Sequence, residues 1–184
     1  MAAEDRTLAC TVVAVRVSVA SRLQILPAPL KIWRVSIDGD ALPLSGGCNC
    51  EAVRFEVHAP LVVAHYCHCR RCQRRTGTAA SINARAVPGS VRILRGREQL
   101  RAWKPEDGRE KWFCGACGSS LFSTTTDFGD PIGIRMGAFD ADPGIRPSAR
   151  FFVACAAPWE PIPEDGLPCF AAKRRRVPAA GAGT

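Results

Sequence analysis

Seven of the ten cysteines in this 184-residue chain fall into three tight clusters, Cys48-Asn-Cys50, Cys67-His-Cys69-Arg-Arg-Cys72 and Cys114-Gly-Ala-Cys117. Nothing else in the sequence restricts the fold as strongly. Cys-x-Cys pairs sit too close for ordinary disulfide geometry, and an odd number of clustered thiols cannot all pair. A soft divalent ion such as zinc takes about four tetrahedral ligands, and cysteines this close in sequence can bite one ion together. Four thiolates close a structural site, and three leave a site with an open position. The count therefore predicts two zinc ions per chain, one for folding and one for chemistry.

Composition adds bounds rather than identity. The formal charge is +8 at neutral pH, with hydrophobic residues at 47% and charged residues at 23%, ordinary for a globular domain with its own core. Thiolates bound to zinc would remove part of that charge, leaving a mild basic bias. Such a bias is weak support for anionic partners, and nucleic acid is disfavoured because the basic residues are not interleaved with aromatics as strand-binding surfaces are. No stretch approaches the ~18 uncharged apolar residues of a membrane span. Glu4-Asp5-Arg6 is a poor start for a signal peptide, so a reducing, cytoplasmic setting is expected.

The chain divides by pattern. Residues 1–43 carry alternating Val13, Val15, Val17 and Val19 and a Pro27-Ala-Pro29 break, with no chemistry-bearing group, and read as an N-terminal extension. Residues 44–172 hold all the clusters and form the expected zinc-binding domain. Residues 173–184, opening on Lys173-Arg-Arg-Arg176, read as a disordered basic tail. Within the domain, Val53, Phe55 and Val57 share one strand face. Leu61–Tyr66, Thr78–Ile82, Val91–Leu94, Lys111–Phe113, Ser120–Ser123, the alternation of Ile132, Ile134, Met136 and Ala138, and Phe151–Val153 continue the series. Short period-two segments parted by Gly and Pro predict a mainly β fold of antiparallel sheets. One short helix is expected, from Cys69 to Arg75, stopped by Thr76-Gly77.

Cys114-Gly-Ala-Cys117-Gly118 has the form of a zinc knuckle, half a site, in which Gly118 can adopt φ > 0. Spacing alone leaves open whether Cys48 and Cys50 or members of the 67/69/72 group complete it. The first choice is the more economical, because it leaves the triple intact and clips together distant parts of the chain.

Ser45-Gly-Gly-Cys-Asn-Cys50, Cys67-His-Cys-Arg-Arg-Cys-Gln-Arg-Arg-Thr-Gly77, Phe113-Cys-Gly-Ala-Cys-Gly118 and Ala157-Pro-Trp159 occur in the order seen in a known family. Over Leu44 to Phe170 the chain resembles the glutathione-dependent formaldehyde-activating enzymes, the family also named for centromere protein V. The resemblance implies two packed antiparallel sheets, similar to methionine-R-sulfoxide reductase B. It also implies a structural zinc on Cys48, Cys50, Cys114 and Cys117 and a catalytic zinc on Cys67, Cys69 and Cys72. One position departs from the family pattern, since Glu51 stands where glycine usually follows the first cysteine pair. If that position needs φ > 0, glutamate there costs on the order of 1 kcal/mol.

The activity implied is a carbon–sulfur lyase reaction, the addition of a small thiol such as glutathione to formaldehyde or a related aldehyde, or the reverse. A free thiol of pKa ~8.5 is only about 3% thiolate at neutral pH, whereas a zinc-bound thiol is essentially deprotonated. Arg70, Arg71 and Arg74, with Arg75 beside them, are the candidate partners for the carboxylates of such a thiol. His68 is a candidate donor or proton carrier behind the triple. His58 and His65 have no assigned role. Cys10, Cys155 and Cys169 read as lone thiols, although Cys155 could complete the second site. Trp159 reads as core or as pocket wall. The alternative function is a non-catalytic, zinc-stabilised binding module whose basic helix docks an acidic protein or nucleic acid. Methionine sulfoxide reduction by fold analogy is a weaker third reading.

Overall fold

The structure is a computed structural model describing residues 42–125 and 133–172; the N-terminal valines, Cys10 and the basic tail lie outside them. Eleven strands and one α-helix follow in order: β1 (Leu44–Gly47), β2 (Arg54–Val57), β3 (Val63–Cys67), α1 (Arg70–Thr76), β4 (Ser81–Arg85), β5 (Val91–Arg95), β6 (Leu100–Trp103), β7 (Glu110–Cys114), β8 (Ser120–Thr124), β9 (Gly133–Arg135), β10 (Pro147–Phe151) and β11 (Cys169–Phe170). They form two sheets. The smaller has the order β1-β2-β5 and the larger β11-β10-β3-β4-β9-β8-β7-β6. The fold is mainly β, as the alternating pattern requires.

The alternation of Val53, Phe55 and Val57 buries all three completely and turns Arg54 and Glu56 to the other face. There Arg54 pairs with Asp140 and Glu56 with His58. Phe55 meets the larger sheet edge-on, 5.0 Å from Phe122 and 5.8 Å from Phe139 between ring centroids. Burying one such ring is worth about 1.5–3 kcal/mol, with roughly 0.5–1.5 more from the aromatic pairing. Gly46, opposite Phe55 in the β1–β2 ladder, has to be glycine. A Cβ there would lie 2.4 Å from both the Phe55 ring and the Ala138 carbonyl.

Three features differ from the sequence expectation. Most pairings are antiparallel, but β10 runs parallel to both β3 and β11. It reaches β3 by a long crossover after β9 rather than a hairpin, and a crossover delivers parallel neighbours. The alternation through Met136 and Ala138 also ends early, because Met136–Ala138 is a 3-10 turn after β9. Phe152 turns into the left-handed region at φ 61 and ends β10, so Val153 is not in a strand.

α1 begins at its N-cap Cys69 and ends at Gly77, whose N–H reaches the Gln73 carbonyl at 2.8 Å. Gln73 is buried and holds the helix down, donating to the carbonyls of His68 (2.6 Å) and Cys155 (2.7 Å). Seven residues of helix have little stability of their own. These tertiary bonds fix it to the end of β3 and to the 3-10 turn Val153–Cys155 that follows β10.

Candidate metal centres

The first cysteine group joins the two sheets. Cys48 lies just past β1, in a turn closed by the Cys48 N–H on the Val53 carbonyl and the Glu51 N–H on the Cys48 carbonyl. Cys114 is the last residue of β7, fully buried in the core. Its partner Cys117 sits in the tight turn to β8. Gly118 closes that turn at φ 76 by donating to the Cys114 carbonyl, a conformation open to glycine without strain. The sulfurs of Cys48, Cys50, Cys114 and Cys117 all lie within 4.8 Å of one another. Cys48 and Cys50 sulfurs are 3.5 Å apart, and those of Cys50 and Cys114 are 3.8 Å apart. A tetrahedron with metal–sulfur bonds of about 2.3 Å has sulfur–sulfur edges of about 3.8 Å. Four soft donors at that spacing fit a zinc ion.

The thiols report the same crowding. The Ala52 N–H favours the Cys50 thiolate, yet hydrogen bonding with Cys117 and Cys48 holds its pKa up at about 12. Cys117 is drawn down to about 5, first by the Ser119 hydroxyl and then by the Ser119 backbone. Four adjacent sulfurs cannot all ionise alone, so protons stay on some of them, and a divalent cation would replace those protons. The Val53 N–H also points at the Cys48 sulfur from 3.2 Å, the outer-shell bond that orients such ligands.

Glu51 adopts φ 60 in this turn, the left-handed conformation glycine would take freely. Arg95 holds the Glu51 carbonyl at 2.7 Å, a backbone bond that any residue at the position keeps. Relief of left-handed strain is worth about 1–2 kcal/mol, less about 0.4–1 for the extra freedom of an unfolded glycine. Glu51→Gly is therefore expected to raise stability by about 0.5–1 kcal/mol with zinc content unchanged, as read by denaturant unfolding. A loss of stability would mean that the glutamate side chain supports the turn.

The second group surrounds the start of α1. Cys67 ends β3, Cys69 caps the helix and Cys72 lies in its first turn, so the last two share one helix face. Their three sulfurs lie within 4.8 Å of one another, with those of Cys67 and Cys69 3.6 Å apart. The Cys72 N–H bonds to the Cys69 sulfur at 3.4 Å. Cys67 and Cys72 are buried and Cys69 is half-exposed, which leaves the group open on one side. Cys72 is held down at about 4, mainly by the hydrogen bond from Cys67, with help from the Ser81 hydroxyl and Arg135. Cys67 is pushed up by that same bond and by burial. Cys155 is not part of this group among the described residues, although its carbonyl anchors Gln73. Cys169 is a separate buried thiol facing the Leu167 carbonyl.

The arginines singled out in the sequence are arranged unevenly. Arg70 is exposed and bonds Gln73, Arg71 is engaged by the side chain and carbonyl of Asp107, and Arg74 is exposed. The cations that bear on Cys72 are instead Arg75, Lys111 and Arg135. Sequence reading missed Lys111 and Arg135. Each sits in a strand alternation, which shows that residues face one side but not which side holds the cysteines.

His68 directly follows β3, with its side chain on the side away from Cys67, and is 6% exposed. Burial, then Arg150, lowers its pKa. It lines a cavity of about 470 Å³ with Tyr66, Ile82, Arg150 and Trp159. Trp159 is 64% exposed, a pocket wall rather than core. His58 pairs with Glu56, and His65 packs edge-on against Phe151 at 5.3 Å.

Two β-sheets joined through a four-cysteine group, with a separate three-cysteine group at the start of a short helix, define a mainly β protein with two cysteine groups that could each hold a metal ion. Among the described residues no helix is long and apolar enough to cross a membrane. The profile of the family described as "Glutathione-dependent formaldehyde-activating enzyme" matches residues 43–155. The chain belongs to that family. A crystal structure of a Rhodobacter sphaeroides protein, solved as a structural genomics target, is similar at 28% identity, with 53% of this chain and 89% of that one covered and a TM-score of 0.41. A comparison with curated proteins found no match.

Proposed function

We propose that this protein is a zinc-dependent carbon–sulfur lyase of the formaldehyde-activating type, acting on a small thiol such as glutathione and on formaldehyde or a related aldehyde. The observation that carries the reading is the contrast between the two sulfur groups. One has four donors at tetrahedral spacing, and the other has three with a half-exposed member. In this reading Cys48, Cys50, Cys114 and Cys117 hold a structural zinc, and Cys67, Cys69 and Cys72 hold a working one. Zinc bound by three thiolates would supply an open position for a sulfur or a carbonyl oxygen and keep a thiol deprotonated at neutral pH.

The reaction is an addition. A sulfur–carbon bond forms, the carbonyl π bond opens, and the thiol proton ends on the former carbonyl oxygen; the reverse breaks the carbon–sulfur bond and returns the proton to sulfur. The chain's part is to hold the two reactants together and to meet the charge. Positioning is the larger contribution, because the uncatalysed addition is already easy. Exposed Arg70 and Arg74 can meet a carboxylate arriving from solvent, whereas Arg71 is committed to Asp107.

The test is zinc per chain with a sulfur count by zinc-edge absorption, followed by NMR of the adduct formed from glutathione and formaldehyde. Two zincs, one with four sulfurs and one with three, together with accelerated adduct formation, are expected. Two zincs with no acceleration for any thiol would replace the reading with a zinc-stabilised binding module.

A further inference from the structure

We infer that Arg75, Lys111 and Arg135 form an anion subsite beside Cys72 that takes a carboxylate of the thiol co-substrate. The assignment rests on the lyase reading for the identity of that ligand, and on the following geometry for its place.

The three cations come from three different elements, α1, β7 and β9, so only the fold assembles them. Arg135 is 7% exposed and donates to the side-chain amide oxygen Oδ1 of Asn83, its register partner on β4. Asn83 in turn donates to the Ser81 hydroxyl at 3.0 Å, and Ser81 bonds the Cys72 sulfur. A polar chain thus runs from the buried guanidinium to the cysteine. Arg75 and Lys111 are half-buried, so each keeps a face toward solvent. Arg75 donates to the Ser120 hydroxyl at 3.2 Å, but its buried Nε has no partner among the described residues.

Among the described residues no carboxylate pairs with any of the three, in contrast to two other sheltered guanidinium groups. Arg54 has Asp140 and Arg150 has Asp165. Three mutually repelling cations outweigh the single negative charge of a zinc held by three thiolates. Like charges are gathered in a partly desolvated place when something of opposite sign is to be bound there. A planar carboxylate suits guanidinium donors. The backbone of a nucleic acid is disfavoured, because it needs an exposed row of cations, whereas Arg135 is buried. The rings of Trp103 and Phe113, each 6.0 Å from the Arg75 guanidinium carbon, add an apolar wall for the body of a small ligand.

The experiment is calorimetry of the zinc-loaded protein with S-methylglutathione, which keeps both carboxylates but has no thiol to transfer, and with its dimethyl ester. Wild type should bind the acid and bind the ester at least about tenfold more weakly, the ratio a charge-assisted bond supplies. Lys111→Met and Arg75→Gln should each weaken the acid about tenfold at unchanged zinc content, and Lys111→Arg should restore it. Equal binding of acid and ester, no saturable binding by wild type, or wild-type affinity in both charge-removing variants would overturn the subsite. Because no turnover is involved, charge-dependent binding without adduct formation would sink the lyase reading and leave the subsite standing.

Discussion

Serine in place of Cys114 is expected to cost the protein most of its stability. Cys114 is fully buried in the core, at the end of β7 and 3.8 Å from the Cys50 sulfur. The variant removes one of four donors and puts a hydroxyl among apolar neighbours that include Leu121 and Phe122. Zinc bound by such sites carries apparent binding free energies of about 10–16 kcal/mol, comparable with the total stability of a domain, about 5–15 kcal/mol. Losing even a third of the metal's contribution leaves little margin. The expected loss is about 4 kcal/mol or more, seen as a broad or absent thermal transition together with one zinc fewer per chain. A chelator added to the wild type should produce the same state. A Cys114→Ser protein that melts within a few degrees of wild type (about 1 kcal/mol) and keeps all its metal would show that the four-sulfur group is not a structural clip.

The second large effect separates chemistry from folding. Cys69 is half-exposed, and its structural task is to cap α1 by accepting the Cys72 N–H. Serine is among the best residues for that task, so Cys69→Ser keeps the cap while removing a thiolate. The helix is also anchored by Gln73, which the substitution leaves alone. The expected result is a protein of near wild-type melting temperature with one zinc instead of two. Its thiol-dependent aldehyde activity should fall about a hundredfold or more, roughly 2.7 kcal/mol of barrier. Retained activity would remove the triple from the chemistry. Collapse of the fold would make it structural and favour the binding-module reading.

Much of the scaffold is legible in the chain because it is local. The burial of Val53, Phe55 and Val57 follows from a period of two, and α1 runs from its Cys69 cap to the Gly77 stop that the sequence marks. The departure at Glu51 is legible too, since a turn usually given to glycine does take φ 60 here. Strand direction is not local. Nothing in Pro147–Phe151 distinguishes a parallel neighbour of β3 from a hairpin arm, because direction depends on the route of the crossover.

The site divides in the same way. Sequence by itself determined that seven thiols stand in clusters with the spacing of metal ligands and that a basic helix begins within the second of them, since ligand spacing and helix signals act over a few residues. Which pair lies with the Cys114–Cys117 knuckle, and which cations stand beside Cys72, was decided only by tertiary structure. Cys48 and Cys50 meet Cys114 because the smaller sheet packs through Phe55 onto Phe122. The charges of Lys111 and Arg135 act on Cys72, while Arg71 goes to Asp107, because strand order and register set which side chains share a face. Contacts between residues far apart in sequence follow from how sheets stack and pair, and no local pattern encodes that choice.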